Sequence, residues 1–153
     1  MPDQDIPVAG VSALEHTADV GLEIVAKDLP QLFTRAALGA MWLVLERDGE
    51  GEGTEVRSVA LSEPDLPALL RSWLQTLLFW QETAGFVVSE ASVAPTPEPS
   101  GSAPGGQAPG LRAQVKGCID EGPRVREIKG VTYHGLALER RGGEWFGRVI
   151  FDV

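Results

Sequence analysis

A run of leucines and tryptophans in the middle of the chain constrains the fold more than any other feature. Within SEPDLPALLRSWLQTLLFWQETAG, residues 62–85, apolar side chains recur at spacings of one, three and four: Leu66, Leu69, Leu70, Trp73, Leu74, Leu77 and Leu78. This spacing predicts a deeply buried helix. Ser62 is the expected N-cap, with Asp65 in the capping-box position and Gly85 as the C-terminal stop. A stripe of this composition is typical of a core and not of a cofactor pocket.

A strand and a second helix are predicted near the start of the chain. VGLEIVAKD, residues 20–28, alternates loosely between apolar and polar side chains, as a half-buried strand does. Asp28 is then a natural N-cap, and Pro30 is tolerated in the first helical turn. The apolar residues between Leu32 and Val44 fall on one face of the helix that follows. This face is expected to join the core.

The remaining apolar segments are short and read as strands. They are VRSVALS, FVVSEASV, LRAQVKGCID, VREIKGVTYHGLALER and EWFGRVIFDV, with a hairpin connection predicted at RGG, residues 141–143. Six or so strands and two long helices do not alternate throughout, so a doubly wound fold is not expected. We predict an α+β fold: one compact domain over residues 1–153, with a mixed or antiparallel sheet and both helices packed on one face.

Residues 95–110 interrupt this pattern. The segment PTPEPSGSAPGGQAPG is rich in proline, glycine and serine and has no apolar periodicity. Such a composition cannot bury a face, so a flexible loop insertion is expected. It is not expected to separate two domains, because only strands follow it and they need the earlier helices to cover one face.

Charge and composition narrow the classes of partner. The formal net charge of −9 opposes strong direct binding to a phosphate backbone and favours a protein or a cation as partner. No apolar run reaches the roughly 20 residues of a membrane span, and the acidic N-terminus lacks the pattern of a signal peptide. A cytoplasmic protein without membrane attachment is therefore expected. The single cysteine, Cys118, excludes an internal disulfide and a cysteine zinc cluster, and its strand context favours a packing role.

A few polar residues at element junctions could carry chemistry. If the first and last strands are neighbours, Asp19, Asp152 and the carboxylate or carbonyl of Val153 would supply oxygen ligands for a hard cation. The alternative, Asp19 as a turn former and Asp152 as a solvated strand end, stays open from the residues alone. His16 could orient Asp19. His134 could serve as a general base, and either histidine can equally be structural.

Several familiar catalytic patterns are missing from the sequence. GEGEGTE has glycines but is acidic, so it would repel a phosphate. The chain has no G-x-S-x-G elbow and no zinc-ligand spacing.

Three segments, in order along nearly the whole chain, resemble the archease family. They are HTADVGLEIVAKDLPQLFTRAALGAM, LLRSWLQTLLF and REIKGVTYHGLALE followed by GRVIFDV. The most specific parts are H-T-A-D-V-G, K-x-V-T-Y-H-G-L and the closing V-I-F-D-V. The chain departs from the family pattern at residues 95–110, which are longer than expected, and at Gly130, where the family has alanine.

The resemblance implies an accessory protein of RtcB-type GTP-dependent RNA ligases and not an enzyme. Such a protein promotes guanylylation of the ligase and multiple turnover in tRNA splicing or RNA repair. The resemblance also implies a metal site that includes Asp19 and Asp152, with Val153 as the final residue and calcium (Ca2+) or another divalent cation as the ligand. His16 is then expected to hydrogen-bond to Asp19 and orient it without binding the metal itself. Lys129 and His134 belong to the family motif without a role that the residues reveal.

Two other functions compete with this one. A chaperone-like module would bind other proteins through an apolar groove. A stand-alone metal-dependent hydrolase would use Asp19, Asp152 and a histidine, but the sequence has no recognisable nucleophile or metal-hydrolase motif to support it.

Overall fold

The computed structural model describes residues 6–15, 19–96 and 108–153, and these residues form eight strands and two helices. In chain order the elements are β1 (Val11–Glu15), β2 (Asp19–Ala26), α1 (Leu29–Leu45), β3 (Glu52–Ser62), α2 (Leu66–Ala84), β4 (Phe86–Thr96), β5 (Gly110–Ile119), β6 (Gly130–Val131), β7 (Ala137–Arg141) and β8 (Glu144–Asp152). The order of elements confirms the α+β class and the hairpin between β7 and β8.

The strands form two antiparallel sheets where the sequence suggested one. The larger sheet has the order β1-β2-β8-β6, with β7 also paired to β8, and the smaller sheet has the order β3-β5-β4. Each of these strand pairs is antiparallel, so the mixed alternative does not apply to them. Apolar periodicity identifies strand residues but not their partners, and for this reason the division into two sheets was missed.

Both helices lie between the sheets. Helix α1 contacts β2 and β8 on one side and β4 on the other, while α2 contacts β6 and β7 as well as β3 and β4. Each sheet therefore has the helices on one face, as predicted for the single sheet. No helix within the described ranges is long and apolar enough to cross a membrane.

One hydrophobic cluster joins both sheets to both helices. Helix α1 is buried on most of its circumference because it has a sheet on each side. Trp73 of α2 is fully buried; its indole N–H donates a 2.8 Å hydrogen bond to the carbonyl of Phe33, and the two rings meet edge to face. This contact fixes α2 against α1.

Helix boundaries follow the caps. Asp28 caps α1 as predicted, accepting a 2.9 Å bond from the backbone N–H of Gln31. The predicted cap of α2 was wrong: the helix begins at Leu66, and Asp65, not Ser62, accepts from the N–H of Ala68 at 2.8 Å. A carboxylate caps as well as a hydroxyl, and Pro67 then occupies the first turn, where its missing N–H costs nothing.

The loop within residues 95–110 is shorter than the sequence suggested. Pro95 and Thr96 pair with Leu111 and Gly110, so the ends of this segment belong to β4 and β5. Strand β4 is at an edge of its sheet, where a proline is tolerated. Residues 97–107 of the predicted flexible insertion lie outside the described residues.

Asp120 is the one buried charged side chain among the described residues. Arg47 donates to both of its carboxylate oxygens, at 2.8 and 3.1 Å, and the backbone N–H groups of Glu50 and Gly122 donate at 2.6 and 2.8 Å. The hydrogen bonds from Arg47, reinforced by the two backbone donors, hold the pKa of Asp120 well below its usual range. The carboxylate thus ties the segment after α1 to the end of β5.

We predict that Asp120→Asn destabilises the chain by about 3 kcal/mol at pH 7, because Arg47 loses its buried partner. A depressed folded pKa adds stability above the unfolded value of about 4, and this stability falls as the pH drops toward the folded value. Thermal unfolding between about pH 2 and pH 7 should therefore show a steeper acid loss for the wild type than for the variant. Glu139→Gln, which breaks the exposed ion pair with Arg141, is the control and should have little effect. Equal acid slopes for the wild type and Asp120→Asn would contradict this assignment.

Candidate acidic site on the larger sheet

Asp19 and Asp152 face each other across two neighbouring strands. Strands β2 and β8 pair antiparallel, and Asp19 lies directly opposite Asp152. Directly opposed residues point to the same face of a sheet, with Cβ atoms about 4.5–5.5 Å apart. The two aspartates, separated by most of the sequence, are therefore neighbours on one face of the sheet. The condition set by the sequence is met by β2, the strand that was predicted to be the first, although β1 precedes it in the chain and was not predicted.

Burial fixes the face on which the carboxylates lie. Leu22 is opposite Val149, and both are completely buried against the helices, as is Phe151. Alternation then puts Asp19 and Asp152 on the helix-free face, where Asp19 is half-buried and Asp152 is exposed. A slip of one residue would expose the apolar set, so the core holds the acid pair in register.

The other side of Asp152 is open. Gly130 of β6 is its partner there, and a Cβ built on Gly130 would meet no atom within 4 Å. The N–H of Lys129 donates a 2.7 Å bond to the carbonyl of Asp152 and holds the strand end in place. Val153 follows, with its side chain packed against the core. Asp19, Asp152 and Gly130 thus form a row across the sheet that can be approached from the Gly130 side.

The nearest positive charge along the two strands, that of Arg148, is already paired with another carboxylate. Arg148 lies opposite Glu23 and donates to one of its carboxylate oxygens through Nη2 at 2.7 Å and Nε at 3.0 Å. Within the described part of the chain, no cation forms an ion pair with Asp19 or Asp152. Like charges directly opposite each other destabilise a sheet. A pair that breaks this rule without compensation points to function.

The donor set fits a hard cation in kind but is incomplete. Two carboxylates and an oxygen of Val153 are ligands of the type that calcium or magnesium prefers, yet calcium takes about six to eight oxygens. Water or a partner would have to supply the rest. Among the described residues no group of three or more His, Cys, Asp and Glu side chains is placed to hold a metal. His16 lies outside the described residues, so its supporting role and the calcium ligand stay predictions.

The other residues singled out in the sequence lie elsewhere. His134 is exposed in the loop after β6, where its carbonyl accepts from the hydroxyl of Thr132 at 3.4 Å. The structure gives no bond between its side chain and the acid pair within the described ranges. Cys118 is half-buried in β5 and lines a groove of about 320 Å³ with Trp42 and Val87. Among the described residues, therefore, no histidine joins the acid pair to form the set that a hydrolase would need.

Two features of this surface were not predicted from the sequence. The Glu23–Arg148 ion pair could be found only from the strand register, because nothing in the sequence indicates that these two residues are paired. Gly130 was noted as a small departure, but its place beside Asp152 was not visible. The signal available in the sequence is the alternation of the last strand, in which Arg148 and Asp152 are separated by an even number of residues and so lie on the same face.

Relatives of known name cover nearly all of this chain. It is 34% identical to Protein archease of Methanosarcina acetivorans, over 92% of this chain and 93% of that one. It is 32% identical to Protein archease of Methanothermobacter thermautotrophicus, over 94% and 99% of the two chains.

Solved structures share the fold. Protein 1598 of Methanobacterium thermoautotrophicum, determined in solution, matches with a TM-score of 0.75 and 28% identity, over 94% of this chain and 99% of that one. A crystal structure from Thermotoga maritima, described as an archease and possible chaperone, matches with a TM-score of 0.56 and 21% identity, over 92% and 94%. Residues 12–153 match the model of the Archease protein family. The chain therefore belongs to the archease family.

Proposed function

We propose that this chain is an accessory protein that activates an RtcB-type GTP-dependent RNA ligase. It would promote guanylylation of the ligase and multiple turnover in tRNA splicing or RNA repair, without being an enzyme itself. The observation that supports this most is the placement of Asp19 opposite Asp152, on an open face and without a cationic partner among the described residues. These are the two aspartates that the family resemblance associates with function.

The acid pair, Asp19 and Asp152, would act by holding two negative charges at a fixed position on the larger sheet. Strands β2 and β8 lie inside the larger sheet and are held by buried apolar side chains, so the two carboxylates are preorganised. A divalent cation such as calcium, when bound, would neutralise the pair and offer its free coordination positions to the partner. The carboxylates themselves would orient this ion, or polar groups of the ligase, near the ligase's nucleotide pocket.

The charge of the chain agrees with such a role. With a net charge of −9, the chain gains little from contact with RNA phosphates. An accessory protein that touches the ligase need not hold the RNA. Its acidic surface would instead favour cations and basic protein surfaces.

A chaperone-like role is the second candidate. The Thermotoga maritima protein is described as a possible chaperone. The groove of about 320 Å³ beside α1 has apolar walls that include Met41, Trp42 and Leu45. Suppression of aggregation in unrelated proteins, unchanged by Asp19→Ala and by chelators, would favour this role over ligase activation.

Asp19→Ala and Asp152→Ala should each abolish most of the ligase stimulation, because either change leaves a single carboxylate. Neither variant should unfold, since relief of the repulsion offsets the loss of a surface side chain and the change should stay within about 1 kcal/mol. The measurement is the number of ligation turnovers and the guanylylated fraction of the ligase with GTP, at equal protein concentrations. Unchanged stimulation by both variants would exclude the acid pair as the working site.

Gly130→Leu tests access to Asp152. A leucine there would lie beside the carboxylate in space that is now open, so it should block approach without disturbing the core. Stimulation should fall at least about tenfold, equivalent to roughly 1.4 kcal/mol, while the thermal midpoint stays the same. Gly130→Ala, which restores the family residue, is the matched control and should retain activity. Full activity of the leucine variant would mean that the partner does not approach from this side.

Calcium should bind weakly and raise the thermal midpoint of the chain. With few protein ligands, the expected Kd is about 10⁻⁴–10⁻³ M. Titration calorimetry and thermal unfolding in about 10 mM calcium would measure this, since occupation at roughly tenfold the Kd stabilises the folded chain by about 1.4 kcal/mol. Asp19→Asn combined with Asp152→Asn should remove the response. A calcium response that survives in the double variant would place the ion elsewhere.

A further inference from the structure

Tyr133 is an exposed aromatic side chain that is nevertheless held in place. It is 69% exposed, more than any other aromatic residue in the described part of the chain. The guanidinium carbon of Arg71, on α2, lies 4.2 Å from the centre of the ring, and Nη1 donates to the phenol oxygen at 3.2 Å. Arg71 is itself fixed, because its Nε donates to the carbonyl of Val131 at 2.8 Å. The ring is therefore presented to solvent in one orientation.

In this arrangement Tyr133 can still donate a hydrogen bond and pack its ring against another molecule. An arginine has only donors, so the phenol oxygen is the acceptor in its bond to Arg71. The hydrogen of the phenol then remains free for an acceptor outside this chain, since no described residue accepts it. Arg71 lies over one face of the ring, and most of the remaining surface of Tyr133 is exposed to solvent. A side chain that is already ordered loses little entropy on binding, and tyrosine and arginine are the residues that most often anchor interfaces.

The position of Tyr133 connects it to the acid pair. Gly130 is the strand partner of Asp152, and the N–H of Thr132 donates to the carbonyl of Ile150 at 2.9 Å. Tyr133 follows directly, at the same edge of the larger sheet. Its side chain turns toward α2, whereas Asp152 lies on the helix-free face. A partner that contacts both would cover this edge of the sheet.

We propose that Tyr133, held by Arg71, anchors the same protein partner that the acid pair serves. The partner contributes an oxygen acceptor for the phenol hydrogen and an apolar side chain against the exposed surface of the ring. This inference rests on the proposed function, because the partner is the RNA ligase named there. An RNA strand fits this edge less well, since the two carboxylates and the net charge of −9 repel its phosphates.

The test measures the affinity of the full chain for the ligase together with ligation turnovers. Tyr133→Ala should weaken the Kd about 30-fold, the loss expected for an interface anchor. Tyr133→Phe, which keeps the ring and removes the donor, should weaken it about threefold to tenfold. Arg71→Lys, which keeps the charge but not the stacked plane, should give an intermediate loss. Phe79→Ala is the matched control, because Phe79 is an aromatic side chain on α2 that is 60% exposed and takes no part in the contact between Arg71 and Tyr133. The affinity of this variant should equal that of the wild type.

The outcomes separate this inference from the proposed function. If the wild-type chain binds and stimulates the ligase, and Tyr133→Ala binds equally well with an unchanged thermal midpoint, the anchor is excluded while the proposed function stands. If Tyr133→Ala lowers affinity for a single-stranded RNA alone and not for the ligase, the anchor serves RNA and the inference is overturned. If binding depends on Tyr133 but the wild-type chain gives no stimulation, the contact is supported and the proposed activation fails.

Discussion

The antiparallel pairing of β2 with β8 determines where everything else on the larger sheet lies. On its inner face Leu22 meets Val149 and Val20 meets Phe151, and all four are buried. Each buried side chain of this size contributes about 1.5–3 kcal/mol. The repulsion between Asp19 and Asp152 on the outer face costs roughly 0.2–1 kcal/mol. Burial wins by a wide margin, so the chain can keep two like charges side by side without losing its register.

The acidic residues of this chain have two different tasks, and their partners distinguish them. Asp120 receives four hydrogen bonds from Arg47, Glu50 and Gly122, and it is almost completely buried. Asp19 and Asp152 lie on the surface, and the structure gives their side chains no ion pair within the described residues. A carboxylate whose bonds are all satisfied inside the chain stabilises the fold. Surface carboxylates that have no ion-pair partner within the described residues remain available to a ligand outside the chain.

The carbonyl groups at the C-terminal end of helix α1 find hydrogen-bond donors in a distant loop. Helix α1 ends at Leu45 without a glycine, and Glu46 takes the left-handed conformation with φ of 50°. The N–H of Val125 donates to the carbonyl of Val44, and Arg126 donates to the carbonyl of Leu43 and to the Glu46 side chain. The loop after Asp120 thus satisfies the last carbonyls of the helix. This loop can do so because Arg47 and Arg124 hold its start against Asp120.

The local sequence pattern was enough to predict the helices and strands but not how they assemble. The spacing of Leu69, Leu70 and Trp73 predicted α2, and Asp28 was correctly identified as the cap of α1, because both signals lie within a few residues. The cap of α2 was misplaced because Ser62 and Asp65 both satisfy the local rule. The two sheets, the Glu23–Arg148 ion pair and the bonds to Asp120 depend on residues far apart in sequence, which periodicity does not report. The residues alone left the acid pair as one of two alternatives, the family resemblance favoured it, and the strand register showed that the two aspartates are opposite each other.

The two opposed aspartates also provide a physical reason for the folded chain to respond to a positively charged ligand. In the free chain the two carboxylates raise each other's energy, since no cation within the described residues offsets them. A ligand that brings positive charge to the row formed by Asp19, Asp152 and Gly130 would offset the cost of two opposed like charges, which is about 0.2–1 kcal/mol. By linkage, any such ligand stabilises the folded chain in proportion to its occupancy. Cation and partner would then compete or cooperate at the same carboxylates, and the open side at Gly130 leaves room for both.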